Sequence, residues 1–180
     1  MTCPTIVSPA AMAGPEGVAG PEGVVSSVLD PEMPMVTLAD LGMVRSVTES
    51  GGTVIVTITP TYSGCPAMVE IRDSITHALA AAGYADVEIR TSLTPAWSTD
   101  WITDAGRRKL VEAGYSPPGA APRRADGPIP LTLTTRPRSV ACPQCGSPDT
   151  QLVSEFGATL CKAHYRCLAC AEPFDHVKEI

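Results

Sequence analysis

TVIVTITPTYSGCPAMVEIRDSITHALAAAGYADVEIRT, Thr53 to Thr91, carries a strand, a cysteine turn, a helix and a second strand in one run. Val54, Val56 and Ile58 share one face of the first segment, with Ile55 and the threonines on the other, as in a strand buried on one side. Met68, Ile71, Ile75, Leu79 and Ala82 fall on one helical stripe, which Gly83 terminates. Asp86 to Leu93 returns to alternation, with Val87, Ile89 and Thr91 set inward. Strand, helix and strand in that order call for a right-handed crossover between parallel strands.

Outward from this core, Leu41 to Val47 reads as a further strand, joined to Thr53–Thr59 by the hairpin signal Glu49-Ser50-Gly51-Gly52. It adds an antiparallel neighbour. VVSSVL, Val24 to Leu29, has helical spacing and stops at Asp30-Pro31, where proline disfavours helix. A last helix is expected near Asp104 to Ala113, and GYSPPG closes the domain near Gly119. The fold class expected is α+β, a small mixed three-stranded sheet with packed helices, followed by a C-terminal zinc-ribbon-like β unit. Residues 1–23 hold GPEGV twice and read as a flexible tail, 24–119 as the main domain, and 120–139 as a proline-rich linker in which IPLTLT could form an edge strand. Residues 140–180 are too few to hold together by an apolar core alone, so a metal staple is expected.

With 180 residues, 44% hydrophobic and 18% charged, the chain has the make-up of a folded soluble protein. A net charge of −6 and a pI near 5.0 argue against a nucleic-acid partner, because no long basic run is present to neutralise phosphates. Arg107, Arg108 and Lys109 are the densest basic cluster and read as a solvated helix face. No stretch approaches the roughly 20 apolar residues of a membrane span, and the N-terminus lacks a basic segment followed by an apolar one. A cytoplasmic protein that does not use a membrane is expected. Seven cysteines, four of them in C-x-x-C pairs, suit metal binding better than a disulfide framework.

CPQC (Cys142, Cys145) and CLAC (Cys167, Cys170) lie 21 residues apart, close to a zinc-site template. Two knuckles of this kind complete a tetrahedron of thiolates around one ion, a closed site with no open position for catalysis. Zn2+ leads on spacing and ribbon pattern, although iron or an iron–sulfur cluster uses the same four thiolates. QLVSEFGATLCKAHYRC has the alternation of a hairpin, and PFDHVKEI supplies a third strand. Cys161, His164 and His176 are spare potential ligands: Cys161 alternates with Tyr165 and reads as packing and the two histidines as surface strand residues, the alternative being a second metal held by Cys161 and a histidine. Cys3 is given no role.

Cys65 sits at or just before the first turn of the Met68 helix, with Pro66 at the position where proline is tolerated. Two readings stand side by side there. Unpaired N–H groups and the helix dipole would lower the thiol pKa, or the residue is a small buried hydrophobe at a tight turn. His77 lies about three turns along the same helix and is too far to act as its base. Without a phosphate loop, a His-x-x-x-His or a serine elbow, no catalytic constellation is complete, and the expectation is a protein that is not an enzyme. Asp30-Pro31-Glu32-Met33-Pro34 is a short acidic loop in which Asp30 could cap a turn and Glu32 face solvent. Trp97 and Trp101, four apart, read as one packing residue and one partner contact.

DPEMPMVTLADLGMV (Asp30 to Val44) and TITPTYSGCPAM (Thr57 to Met68) resemble the iron–sulfur assembly domain shared by SufT-type proteins and the cytosolic iron–sulfur targeting factors of eukaryotes. That resemblance spans residues 24–95. LTPAWSTDWITDAGRRKLVEAGYSPP (Leu93 to Pro118) and the four-cysteine unit are similar to the PaaD family, accessory proteins of the bacterial phenylacetyl-CoA epoxidase system. The resemblance implies a maturation role in aerobic phenylacetate catabolism, serving an iron-containing centre of the oxygenase or of its iron–sulfur reductase. It makes Cys65 the transient ligand for a cluster or iron, or the sulfur-handling thiol, with Asp30 and Glu32 lining the same site. The partners implied are the oxygenase and reductase subunits and general iron–sulfur assembly proteins; apart from the resemblance, a second copy of this chain in an isologous dimer would bring two Cys65 thiolates together to share a cluster. The alternative is a stable docking subunit without cargo transfer.

Overall fold

The computed structural model describes residues 20–121 and 140–180. Cys3, most of the N-terminal tail, the Arg123-Arg124 linker and the IPLTLT segment lie outside the described residues. Helix α1 (Pro21–Ser26) leads through an irregular segment to β1 (Val44–Ser50), β2 (Thr53–Ile58), α2 (Met68–Ala81) and β3 (Val87–Thr91). A 3-10 turn (Thr99–Trp101) and α3 (Asp104–Glu112) follow, and then the ribbon strands β4 (Thr150–Ser154), β5 (Lys162–Cys167) and β6 (Pro173–Val177).

The first sheet has the order β1-β2-β3, antiparallel on one side of β2 and parallel on the other, with Val54 opposite Val87 and Ile58 opposite Thr91. Val54, Val56 and Ile58 are fully buried beneath Ile71, Ile75 and Leu79 of α2. The alternation in the sequence is thus the alternation of core and surface. Helix α2 ends with Gly83 at φ 95° while the Tyr84 N–H reaches Leu79 O and the Gly83 N–H reaches Ala80 O, a Schellman stop.

Several expectations move. Helix α1 begins at Pro21, inside the segment read as tail, because proline is pre-set for a first helical turn. Strand β1 begins at Val44 rather than Leu41 and runs on to Ser50, leaving a two-residue loop of Gly51 and Gly52 at φ 61° and 87°. Leu41 and Met43 instead go into the core around Gly42, which has φ 66° and would place a Cβ 2.5 Å from the Trp101 carbonyl oxygen. Thr91 is exposed at the end of β3, not inward. Arg107 and Lys109 are not simply a solvated face: Arg107 donates to Thr99 O and Pro118 O, and Lys109 Nζ lies 2.6 Å from Asp40 Oδ2.

Strands β4, β5 and β6 form an antiparallel sheet in sequence order over a small cluster of Val140, Cys142, Ala163, Tyr165, Cys167 and Phe174. The Tyr165 and Phe174 rings stack at 5.9 Å. Strand β6 then docks on the first unit. The Ser116 N–H donates to Asp175 O, the Val177 N–H donates to Ser116 O, and Val177 is buried in the first unit's core. The C-terminal Ile180 carbonyl accepts from the Thr99 N–H. This docking brings the start of β5 against the acidic loop of the first unit.

Candidate functional site

The two knuckles are built alike. In CPQCG the Cys142 N–H bonds Ser147 O at 3.0 Å with Gly146 at φ 73°; in CLACA the Cys167 N–H bonds Glu172 O at 2.9 Å and Ala171 takes φ 64°. An alanine in that region carries strain of about 1 kcal/mol, which the knuckle geometry imposes. The four Sγ atoms all lie within 4.8 Å of one another, with Cys142–Cys170 at 3.8 Å and Cys145–Cys167 at 3.6 Å. Four sulfurs about 2.3 Å from a tetrahedral ion would be about 3.8 Å apart, so the donor set fits the single metal of a zinc ribbon. Backbone N–H groups of Cys170 and Ala169 bring the Cys167 thiol down to about 7. The Glu172 N–H draws Cys170 down too, but burial and its three thiol neighbours outweigh it and push Cys170 up to about 12. Crowded thiols cannot all ionise without the positive charge of an ion.

The second site lies where the ribbon meets the first unit. A cavity of about 20 Å³ is lined by Asp30, Glu32, Thr61, Cys65, Cys161 and Trp97 among others. Asp30 is 6% exposed, and its Oδ1 accepts the N–H groups of Glu32 at 2.9 Å and Met33 at 2.8 Å. It therefore caps its own loop, as the sequence allows, and turns Glu32 inward rather than to solvent. Glu32 Oε2 lies 3.9 Å from Cys161 Sγ, and Lys162 Nζ reaches Glu32 O at 3.5 Å. Cys65 sits on a turn in which its N–H bonds Tyr62 O. The Tyr62 hydroxyl is buried without a hydrogen-bond partner among the described residues. Burial and the neighbouring Cys65, Cys161 and Glu32 push that hydroxyl's pKa up.

Family models for an iron–sulfur cluster assembly protein and for a PaaD zinc beta ribbon domain match residues 22–90 and 126–178. An Escherichia coli protein, provisionally named as one of the subunits of a 1,2-phenylacetyl-CoA epoxidase, is 45% identical over 154 residues, 86% of this chain and 88% of that one. The chain belongs to the PaaD family. Two solved structures are also similar. A domain of unknown function from Bacillus anthracis has 25% identity, covers 50% of this chain and 87% of its own, and gives a TM-score of 0.47. A Mycobacterium tuberculosis protein associated with Fe-S complex assembly and repair has 28% identity, 59% and 98% coverage, and a TM-score of 0.31.

In this PaaD-family chain the remaining expected site residues separate. Trp97 is 5% exposed and its indole N–H donates to Leu41 O at 2.8 Å, so it packs in the core and offers no contact surface. Trp101 is half-buried beneath the Arg45 guanidinium, 3.9 Å from the ring centroid. His176 is not a surface residue: it is 3% exposed, with Nδ1 at 3.2 Å from Ser116 O and Nε2 at 3.4 Å from Glu179. His164 pairs with Asp175 at 3.0 Å, and His77 is exposed. Cys161 does more than pack, because it faces Glu32 across the boundary between the units.

The helix-terminus argument for an acidic Cys65 does not hold. Helix α2 starts at Met68 with Ala67 as its N-cap, leaving Cys65 two residues outside and Pro66 just before the cap. Burial pushes the thiol up; the Ala67 N–H opposes this, while Glu32, Cys161 and Asp30 add to it. Iodoacetamide labelling of Cys65, followed by peptide mass spectrometry, is expected to show a pH midpoint above the ordinary 9.0. A midpoint below about 8 would restore the helix-terminus reading.

Proposed function

We propose that this protein is an accessory maturation factor of a multicomponent phenylacetyl-CoA epoxidase, which helps assemble or repair an iron-containing centre through Cys65. It carries no catalytic step of its own. The name of the Escherichia coli relative and the two family matches support the system. The observation that carries the role is the half-buried Cys65 thiol facing Glu32 and Asp30 in a cavity that the ribbon closes. A half-exposed thiol with carboxylate neighbours can take up iron and release it, whereas four thiolates around one ion hold it. The ribbon ion on this reading is zinc, held by Cys142, Cys145, Cys167 and Cys170 in a structural role. The partners are the oxygenase and reductase subunits, and the compartment is the cytoplasm. Among the described residues no helix is long and apolar enough to cross a membrane.

The test is co-expression of the oxygenase system with the parent protein or with Cys65→Ser. The variant is expected to fold with its ribbon metal intact and to yield an oxygenase system with several-fold less iron. Full iron content and activity from the variant would reject the role of Cys65. Leu152, Val153, Phe156, Leu160 and Leu168 are large apolar side chains exposed on the ribbon, which favours a docking subunit as the second reading. Stable stoichiometric co-purification with the oxygenase would select that reading over transient transfer.

A further inference from the structure

Donors from both units converge on the small cavity, and the ribbon supplies one of them. We infer that Cys65, Cys161 and Glu32 together bind one borderline-soft divalent transition-metal ion, of the class of ferrous iron, cobalt or zinc. This rests on the reading of Cys65 as the cargo residue and adds the ribbon's thiol to it.

Three observations point to such an ion. Two thiols and one carboxylate form a donor set that prefers these metals to magnesium or calcium, which take oxygen ligands. The cavity of about 20 Å³ has room for roughly one water-sized sphere, the scale of a single ion. The Tyr62 hydroxyl, on the turn whose backbone bonds Cys65, is buried without a partner among the described residues and is left a hydrogen bond short. A metal-bound thiolate or carboxylate oxygen would accept that bond. Asp30 is a positioning residue here: its Oδ1 accepts from the N–H groups of Glu32 and Met33 and so fixes the loop from which Glu32 faces Cys161.

The hold is looser than the ribbon's. Among the described residues the four ribbon cysteines are the group whose ligand atoms all lie within 4.8 Å of one another. Binding at the second site therefore has to draw the Cys65 turn and Cys161 together around the ion. A site that must close on its ion and that supplies three protein ligands suits cargo rather than a permanent staple.

The test is anaerobic titration of the full zinc-loaded chain with cobalt(II) chloride, following thiolate-to-cobalt charge-transfer absorption. The parent is expected to saturate at one equivalent with its zinc retained. Cys161→Ala should lose about half of that absorption and bind at least about tenfold more weakly, Glu32→Gln should weaken binding without halving the absorption, and Tyr62→Phe should weaken it several-fold. One zinc per chain in each variant certifies the ribbon. Maleimide footprinting of the parent needs no substitution: one equivalent of cobalt is expected to protect Cys65 and Cys161 equally. Protection of Cys65 alone, or a Cys161→Ala variant that titrates like the parent, overturns the shared site and leaves the Cys65 reading intact. No added absorption in the parent overturns the ion site, while the maturation role is judged separately by the iron content of the co-expressed oxygenase.

Discussion

Replacing Cys167 by serine is expected to remove the ribbon metal, unfold residues 140–180 and lower the melting temperature of the first unit as well. Cys167 is fully buried and belongs to both the four-thiol set and the small ribbon cluster, so nothing else in the unit can stand in for it. Structural zinc contributes about 10–16 kcal/mol of apparent binding free energy to peptides of this kind, far more than a ribbon of this size gains from burial. The effect spreads because Val177 is buried in the first unit's core and β6 bonds Ser116. Withdrawing one valine exposes apolar surface worth about 1.5–3 kcal/mol, which lowers a melting temperature by about 3–12 °C in a chain of this length. Metal analysis and calorimetry check both parts. A Cys167→Ser variant with full metal and an unchanged melting temperature would show that the knuckles do not support the fold.

The parts of the fold that are legible in the sequence are those set by short-range pattern. The alternation of Val54, Val56 and Ile58, the stripe of Ile71, Ile75 and Leu79, and Gly83 as a stop fix β2, α2 and the crossover to β3, because each reports the side of an element that meets the core. The C-x-x-C pairs are equally plain, since two residues between thiols is a local requirement of a knuckle. The start of β1 is not. Leu41 and Met43 fit a strand pattern, but the close approach of Trp101 to Gly42 turns that segment away from the ladder, and a contact with a residue so far along the chain leaves no periodic mark.

The same division runs through the site. Asp30, Glu32 and Cys65 stand out because proline and glycine mark their loops, and the structure brings them to one cavity. Cys161 and Tyr62 carry no such mark. Cys161 has no ligand partner at two-residue spacing, and its neighbour Glu32 is 129 positions away, supplied by the docking of β6 on the first unit. The direction of the Cys65 pKa is hidden in the sequence for a related reason. A helix terminus is visible there, but Cys65 lies outside it, and the burial that raises the thiol leaves no local mark.

Asp30 separates the capping of the acidic loop from its charge, and its two substitutions are expected to move stability in opposite directions at neutral pH. Asp30→Ala strips the acceptor from the Glu32 and Met33 N–H groups in a loop buried to 6% exposure. Each orphaned buried donor costs about 1–3 kcal/mol, so a fall in melting temperature of about 5 °C or more is expected at every pH. Asp30→Asn keeps a carbonyl oxygen for both N–H groups and removes the charge. Burial lifts the Asp30 carboxyl above its ordinary 3.8, against the pull of the Met33 and Glu32 N–H groups and of Lys162. The folded protein thus holds that proton more tightly than the unfolded chain, and the stability this contributes is full below pH 3.8 and lost as pH rises through the folded pKa. At neutral pH the parent holds a buried charge that the Asn variant does not, so Asp30→Asn should melt above the parent at about pH 7, with the gap closing as pH falls toward about 4. Paired melting curves from about pH 4 to about pH 8 decide it. An Asn variant less stable than the parent at neutral pH would mean that the charge itself, through Lys162, holds the loop against the ribbon.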